Sequence, residues 1–233
     1  ATSYGEHVAM EMSSELTARG AVVVSGAAYG IDGMAHRAAL AVGGPTIAVL
    51  AGGADRSYPA GHAELLERVA ANGAVLSELP PGAAPTRWRF LQRNRIIAAF
   101  GQATVVVEAG WRSGSLNTAA HAATLGRPLG AVPGPVTSAT SEGVHALVRS
   151  GQATLVTSGQ DVLEVVGDLG EHHAVEPRGP VRAHDRLTAT QRQVLEAVPS
   201  RSPAVAGSVA RTAGLGLDLP DAGARRTPIG FSN

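Results

Sequence analysis

Short apolar runs, separated by amphipathic stretches of helical period, recur through the first 166 residues of this chain. This alternation is the pattern of repeated βα units around a parallel sheet. The predicted strands cover 21–25, 46–50, 74–77, 104–108, 128–132 and 154–156. They are rich in Val, Ile and Leu, as strands covered on both faces must be. Helices are predicted over 3–19, 32–42, 61–72, 90–100, 115–125, 142–149 and 159–166. The first opens on a capping box, Ser3 with Glu6 three residues on. Gly20, Gly43, Gly73 and Gly126 stand where helices should end. A doubly wound sheet opens on its central strand, whereas this chain opens on a helix. The expected fold is therefore α/β and Rossmann-like, with a parallel sheet missing its first strand and an unpaired edge at 104–108 or its neighbours.

Periodicity disappears after 166, and Gly, Pro, His and charge take over through a predicted linker at 167–186. Two short helical patterns follow at 188–198 and 203–213, with Thr188 and Ser202 as N-caps. From 214 onward no periodicity remains. The expected organisation is a Rossmann-like domain over 1–166, the linker, and a smaller partial region over 187–233.

There is no cysteine, which excludes disulfides and thiolate metal sites and suggests a reducing compartment. No apolar run approaches the roughly 18–20 residues that a membrane span needs, and no signal peptide is recognisable at the start. A cytoplasmic location is expected. The formal net charge is zero, so the chain is no polybasic binder. Yet all 19 basic residues of the Lys+Arg count are arginine, and Arg87, Arg89, Arg93 and Arg95 crowd into one short segment.

Ligands of open parallel sheets bind at the carboxyl ends of the strands, and four segments map there. Ser25-Gly26-Ala27-Ala28-Tyr29-Gly30-Ile31-Asp32 is a glycine loop leading into a helix, able to turn tightly and offer N–H groups to an anion. It is not a GxGxxG fingerprint, and Asp32 reads as a helix cap. The segment 51–59, ending in Tyr58-Pro59, could shape a groove wall or merely pack. The third runs from Trp88 to Ile97, with Arg89 and Arg93 on one helical face and Ile96, Ile97 and Phe100 turned to the core. Arginine forks suit phosphate oxygens, and Phe90 or Trp88 could stack on a base. Cations at a helix N-terminus oppose the dipole, a mismatch that an anionic partner relieves. In the fourth, Arg112-Ser113-Gly114-Ser115 sets small residues and amides at a helix start, a nest for phosphate.

Catalytic readings are weaker. Gly110-Trp111-Arg112-Ser113-Gly114 is displaced by one residue from a nucleophile elbow. His172 and His173 fall in the linker, His36 and His121 read as structural, and Glu108 at a strand end has no partner acid. No metal or cofactor is expected.

With these residues in view, the chain resembles the DNA-processing protein A family (DprA, also called Smf). The ordered matches are Ser25 to Asp32 with Ala35-His36, Thr46 to Leu50, Tyr58-Pro59, Ser77-Glu78-Leu79-Pro80, Arg93-Asn94-Arg95-Ile96-Ile97 and Val107-Glu108-Ala109. Ser113-Gly114-Ser115-Leu116 with Thr118-Ala119, and Val132-Pro133-Gly134, complete them over residues 2–166. The resemblance implies an extended Rossmann fold that binds single-stranded DNA and loads the RecA recombinase in natural transformation. It also implies homodimers and no catalytic activity. The implied DNA pocket falls on Arg93, Ser113, Gly114 and Ser115, with Phe90 as the base-contacting aromatic. Asn94 and Arg95 share that motif, Arg87, Arg89 and Arg112 add charge, and Ser25, Gly26 and Gly30 line the glycine loop.

Three departures stand out. Phe90-Leu91-Gln92 replaces the family's Phe-Pro entry, and His145 stands where members often carry Asn. The family's first strand, with a Val-Gly-x-Arg motif, is not found before Thr2. The region from Val194 to Pro199 and from Ala210 to Leu215 resembles the start of a winged-helix domain, after which that pattern is lost. A nucleoside-monophosphate hydrolase is the alternative, although the Pro-Gly-Gly-x-Gly-Thr loop of such enzymes is absent at 108–115. A mere interaction scaffold is a third reading, which leaves the arginine cluster unexplained.

Overall fold

The computed structural model describes residues 1–167 and 186–216. The chain divides into two compact units, Ala1–Val175 and Glu176–Asn233.

In the first unit six strands alternate with helices: β1 (Val23–Ser25), β2 (Thr46–Val49), β3 (Ala74–Leu76), β4 (Thr104–Val106), β5 (Leu129–Ala131) and β6 (Thr154–Leu155). The helices are α1 (Ser3–Ala18), α2 (Ile31–Ala41), α3 (Ala63–Asn72), α4 (Arg87–Phe100), α5 (Gly114–Thr124), α6 (Glu142–Arg149) and α7 (Gly159–Val166). All neighbouring strands pair in parallel, in the orders β1-β2-β3 and β4-β5-β6. This is the Rossmann-like α/β architecture that the alternation predicts.

Among the described residues β4 pairs only with β5, and β1 only with β2. The unpaired edge thus lies on two strands. Its signature is exposure: Val23, Val24, Ser25, Thr104 and Val105 are only half-buried, although βαβ strands are normally covered on both faces. Three clusters of small aliphatic side chains hold the layers together. Ala48, Leu50, Leu65 and Val69 fill the space between β2 and α3. Val106, Ala119, Ala131 and Val144 do so beneath α5 and α6. Met12 of α1 meets Val132, Val156 and Val162. α1 packs on both α2 and α7.

Helix ends depart from the sequence reading in instructive ways. Thr2, not Ser3, caps α1, its hydroxyl accepting from the Gly5 amide at 3.2 Å. Gly20, Gly43 and Gly126 take the positive φ of helix-terminating glycines, at 88°, 76° and 67°. Gly73 does not: its φ is −163° because the chain passes straight into β3. A Cβ on Gly73 would lie 2.0 Å from the Thr46 carbonyl oxygen, so close strand approach is its reason.

In the second unit α8 (Ala189–Ala197) begins on a capping box formed by Thr188 and Gln191. α9 (Ala206–Thr212) has Val205 at its N-cap, without a side-chain capping bond, rather than the expected Ser202. Gln193 of α8 donates to the Ala213 carbonyl at 2.6 Å, tying the two helices. Residues 168–185, with His172 and His173, and 217–233 lie outside the described residues.

Candidate nucleic-acid interface

α4 starts at Arg87, three residues before the predicted start, because the Thr86 hydroxyl accepts from the Arg89 amide and caps it. That places Arg87 and Arg89 in the first turn, Arg87 exposed and Arg89 half-buried with its Nη1 donating to the Ala84 carbonyl. It also changes the helix's inner face. Arg93, Asn94 and Ala98 are the buried residues, Ile96 and Ile97 are half-buried, and Phe100 is 54% exposed. The polar pair turns inward because the sheet offers it acceptors. Arg93 Nη1 donates to the Gly26 carbonyl at 2.9 Å and to the Val49 carbonyl. Asn94 Nδ2 donates to the Gly114 carbonyl at 3.2 Å and to Asn117 Oδ1 at 3.3 Å. Burial presses the Arg93 pKa below the ordinary arginine value, and Asp32 opposes that shift. Its Nη2 has no protein acceptor among the described residues and is not a fully buried atom, although the residue is only 7% exposed.

The glycine loop after β1 is strapped at three consecutive residues. Arg93 holds the Gly26 carbonyl, His62 Nδ1 donates to the Ala27 carbonyl at 2.9 Å, and Asp32 Oδ2 accepts from the Ala28 amide at 3.1 Å. The strap maintains costly backbone: Ala27 has φ 55° and Gly30, the N-cap of α2, has φ 85°. It also explains Gly26, where a Cβ would sit 2.3 Å from the Arg93 guanidinium nitrogens. Ser25 and Gly30 are half-buried at this rim.

Beneath the loop, His36 is fully buried. The Thr46 hydroxyl donates to the Val23 carbonyl at 2.8 Å, so it must accept the 2.7 Å bond from His36 Nδ1. His36 Nε2 is then a bare acceptor with no partner among the described residues. Burial lowers the His36 pKa to about 4; Asp32 works against this, while His62 and Arg93 add to it.

Across from the loop, the Ser113 hydroxyl caps α5 by accepting from the Ser115 amide at 3.3 Å. A turn from the Ser113 amide to the Gly110 carbonyl, 3.0 Å long, shapes the approach. The Gly114 amide points from the helix start with no protein acceptor among the described residues. Asn94 joins this end of α5 to α4, so the arginine segment and the serine nest are physically coupled. Arg112 is exposed and unpaired among the described residues. Arg95 instead forms a two-oxygen ion pair with Glu78 at 2.6 and 2.8 Å, which draws it away from the loop.

Sequence reasoning missed His62, left Tyr29 without a role, and gave Tyr58 only as a groove wall or packing residue. The Tyr58 and Phe90 rings lie 5.7 Å apart at 55°. Tyr29 meets His62 edge-on at 4.8 Å. Only the aromatic type of these side chains was a signal, because the partners are far apart in sequence. Glu108 is no free base: the Thr2 amide donates to it at 2.9 Å, and the Thr2 and Thr140 hydroxyls also donate to it. His145 settles into a structural bond, its Nε2 donating to the Gly134 carbonyl at 3.0 Å.

Comparison with known proteins places these features. Residues 1–167 match the DNA recombination-mediator protein A family. The chain is 55% identical over 215 residues to the putative DNA processing protein DprA of Mycobacterium tuberculosis, covering 92% of this chain and 55% of that protein. It therefore spans about half the length of the curated relatives that it matches first. The X-ray structure of DprA from Streptococcus pneumoniae superposes with a TM-score of 0.68 at 42% identity, over 72% of this chain and 59% of that one. DprA from Helicobacter pylori, whose structure was described for its single-stranded DNA binding mode, gives 0.66 at 30% identity over 74% and 77%. From the match along its first 167 residues and from these relatives, the chain belongs to the DNA recombination-mediator protein A family.

Proposed function

We propose that this chain binds single-stranded DNA across the carboxyl ends of β1, β2 and β4. One observation carries the reading: in a chain of zero net charge, arginines, aromatic rings and a helix-start amide without an acceptor converge on one edge of the sheet. Arg93 Nη2 and the Gly114 amide are the phosphate donors, Ser113 and Ser115 line that nest, and Phe90 takes a base. Arg87, Arg89 and Arg112 supply steering charge at the rim. Arg93 has a second duty as a strut, and Asn94 works only as the link to α5. The bound strand is passed to a RecA-type recombinase, and the protein acts as a cytoplasmic homodimer without catalysis. The enclosure of Glu108 by Thr2 and Thr140 speaks against the hydrolase alternative, which would use a carboxylate at that strand end.

Fluorescence anisotropy with labelled single- and double-stranded oligonucleotides over a salt series tests the reading. Binding should favour the single strand, with log affinity falling against log salt at about −0.7 per phosphate contact. Arg112→Ala should flatten that slope by up to about one contact's worth while leaving the fold intact. Equal affinity for duplex, or no binding at all, would contradict the reading. Release of free base from a nucleoside monophosphate would favour the enzyme.

A further inference from the structure

The chain has three Phe, three Tyr and two Trp residues. None of them belongs to the three hydrophobic clusters among the described residues, which are built from Ala, Val, Leu and Met. Tyr29, Tyr58, Trp88, Phe90 and Trp111 instead follow β1, follow β2, open α4 and follow β4. Aromatic rings normally dominate cores because they bury so much surface. Here packing does not explain where they are. Single exposed rings need no explanation, but five gathered on one edge, with Arg56, Arg87 and Arg112 exposed between them, do.

We propose that Tyr58 and Trp111 are base-stacking platforms on either side of Phe90, so that one strand is read as a run of bases from the β2 loop to the β4–α5 loop. This rests on the single-strand reading above and extends its footprint. Tyr58 is 47% exposed and Trp111 is 61% exposed, so each side chain is open to a ligand from solvent. A base sandwiched between two rings needs about 7 Å between them, two van der Waals contacts. Tyr58 and Phe90 stand 5.7 Å apart and tilted by 55°, so no base enters between them and each ring takes its own. The Arg93 guanidinium carbon lies 5.8 Å from the Phe90 ring centre, which sets positive charge beside the middle platform. Asn94, one turn beyond Phe90, carries the surface to Gly114 through its 3.2 Å bond. Trp111 stands three residues before Gly114, in the turn closed by Gly110 and Ser113. The Tyr58–Phe90 pair, the donors Arg93 and the Gly114 amide, and then Trp111 thus follow one another along the edge, so a strand meets phosphate donors between its stacking rings. Only unpaired bases offer free faces, so the occupant is single-stranded nucleic acid.

The test uses Trp111 as its own reporter. In the Trp88→Phe protein Trp111 is the sole tryptophan, and oligothymidylate is titrated while fluorescence and anisotropy are followed together. Quenching of Trp111 with the same midpoint as the anisotropy change is expected. Tyr58→Ala and Trp111→Ala should each weaken binding by about fivefold or more, with an unchanged salt slope because no phosphate contact is lost. Full binding with unquenched Trp111 and wild-type affinity in both variants overturns the proposal but spares the single-strand reading. A loss of affinity with a shallower slope also overturns it, since that marks a phosphate contact. Absence of any binding by the parent protein overturns both.

Discussion

Arg93→Ala should lower the unfolding free energy by about 3 kcal/mol or more, a larger loss than any rim arginine would give. The guanidinium is the donor for two carbonyls, on Gly26 and on Val49, that lie in different βα units. Truncation strips both of this donor, at roughly 1–3 kcal/mol each for a buried acceptor left without a partner. It also releases the first point, at Gly26, of the strap that keeps Ala27 and Gly30 at positive φ. DNA affinity should therefore fall by more than one phosphate contact is worth. Arg93→Lys should recover part of the stability, since an ammonium can reach a carbonyl but cannot reproduce the planar fork. Urea unfolding at pH 7.5 measures the first effect and anisotropy the second. An alanine variant with wild-type stability and merely weaker binding would show that Arg93 is a ligand and not a strut.

Acid should unfold this protein earlier than its surface charges would suggest. His36 is held neutral with a pKa of about 4, against the ordinary 6.5. The folded state therefore binds fewer protons than the unfolded chain between those values. The His36 contribution is complete above about pH 6.5 and is lost as pH falls towards 4, by about 2 kcal/mol at pH 5 and up to about 3 kcal/mol at the lower limit. The physical cause is burial: protonation would put a charge beside His62 and Arg93, with only Asp32 to offset it. His36→Gln should flatten the decline between pH 7 and pH 5 in urea titrations, whatever it does to stability at pH 7. An unchanged decline would show that His36 is not the titrating group.

The fold was legible because its signals are local. Apolar runs of strand length and glycine at helix ends mark elements from neighbouring residues alone, and β2, at Thr46–Val49, begins where the pattern begins. The orientation of α4 was not legible. Hydrophobicity points Ile96, Ile97 and Phe100 inward, yet Arg93 and Asn94 are the buried pair and Phe100 is exposed. Long-range acceptors on Gly26, Val49, Gly114 and Asn117 overrule periodicity there. The same limit applies to the site. The serine nest and the glycine loop could be read from spacing. The His62 bond to Ala27 spans 35 residues, and the Tyr58–Phe90 pair joins the loop after β2 to the first turn of α4, which no local rule connects.

The carboxyl edge of the strands is the proposed single-strand interface. Amide chemical-shift mapping during titration with oligothymidylate tests it residue by residue. The largest shifts should fall on Gly26, Ala28 and Gly30 and on Arg112, Gly114 and Ser115. Gly43, Gly126 and Gly151, which precede β2, β5 and β6 at the opposite edge, should stay unmoved. Shifts centred on those three glycines, with the loop after β1 and the start of α5 silent, would contradict it.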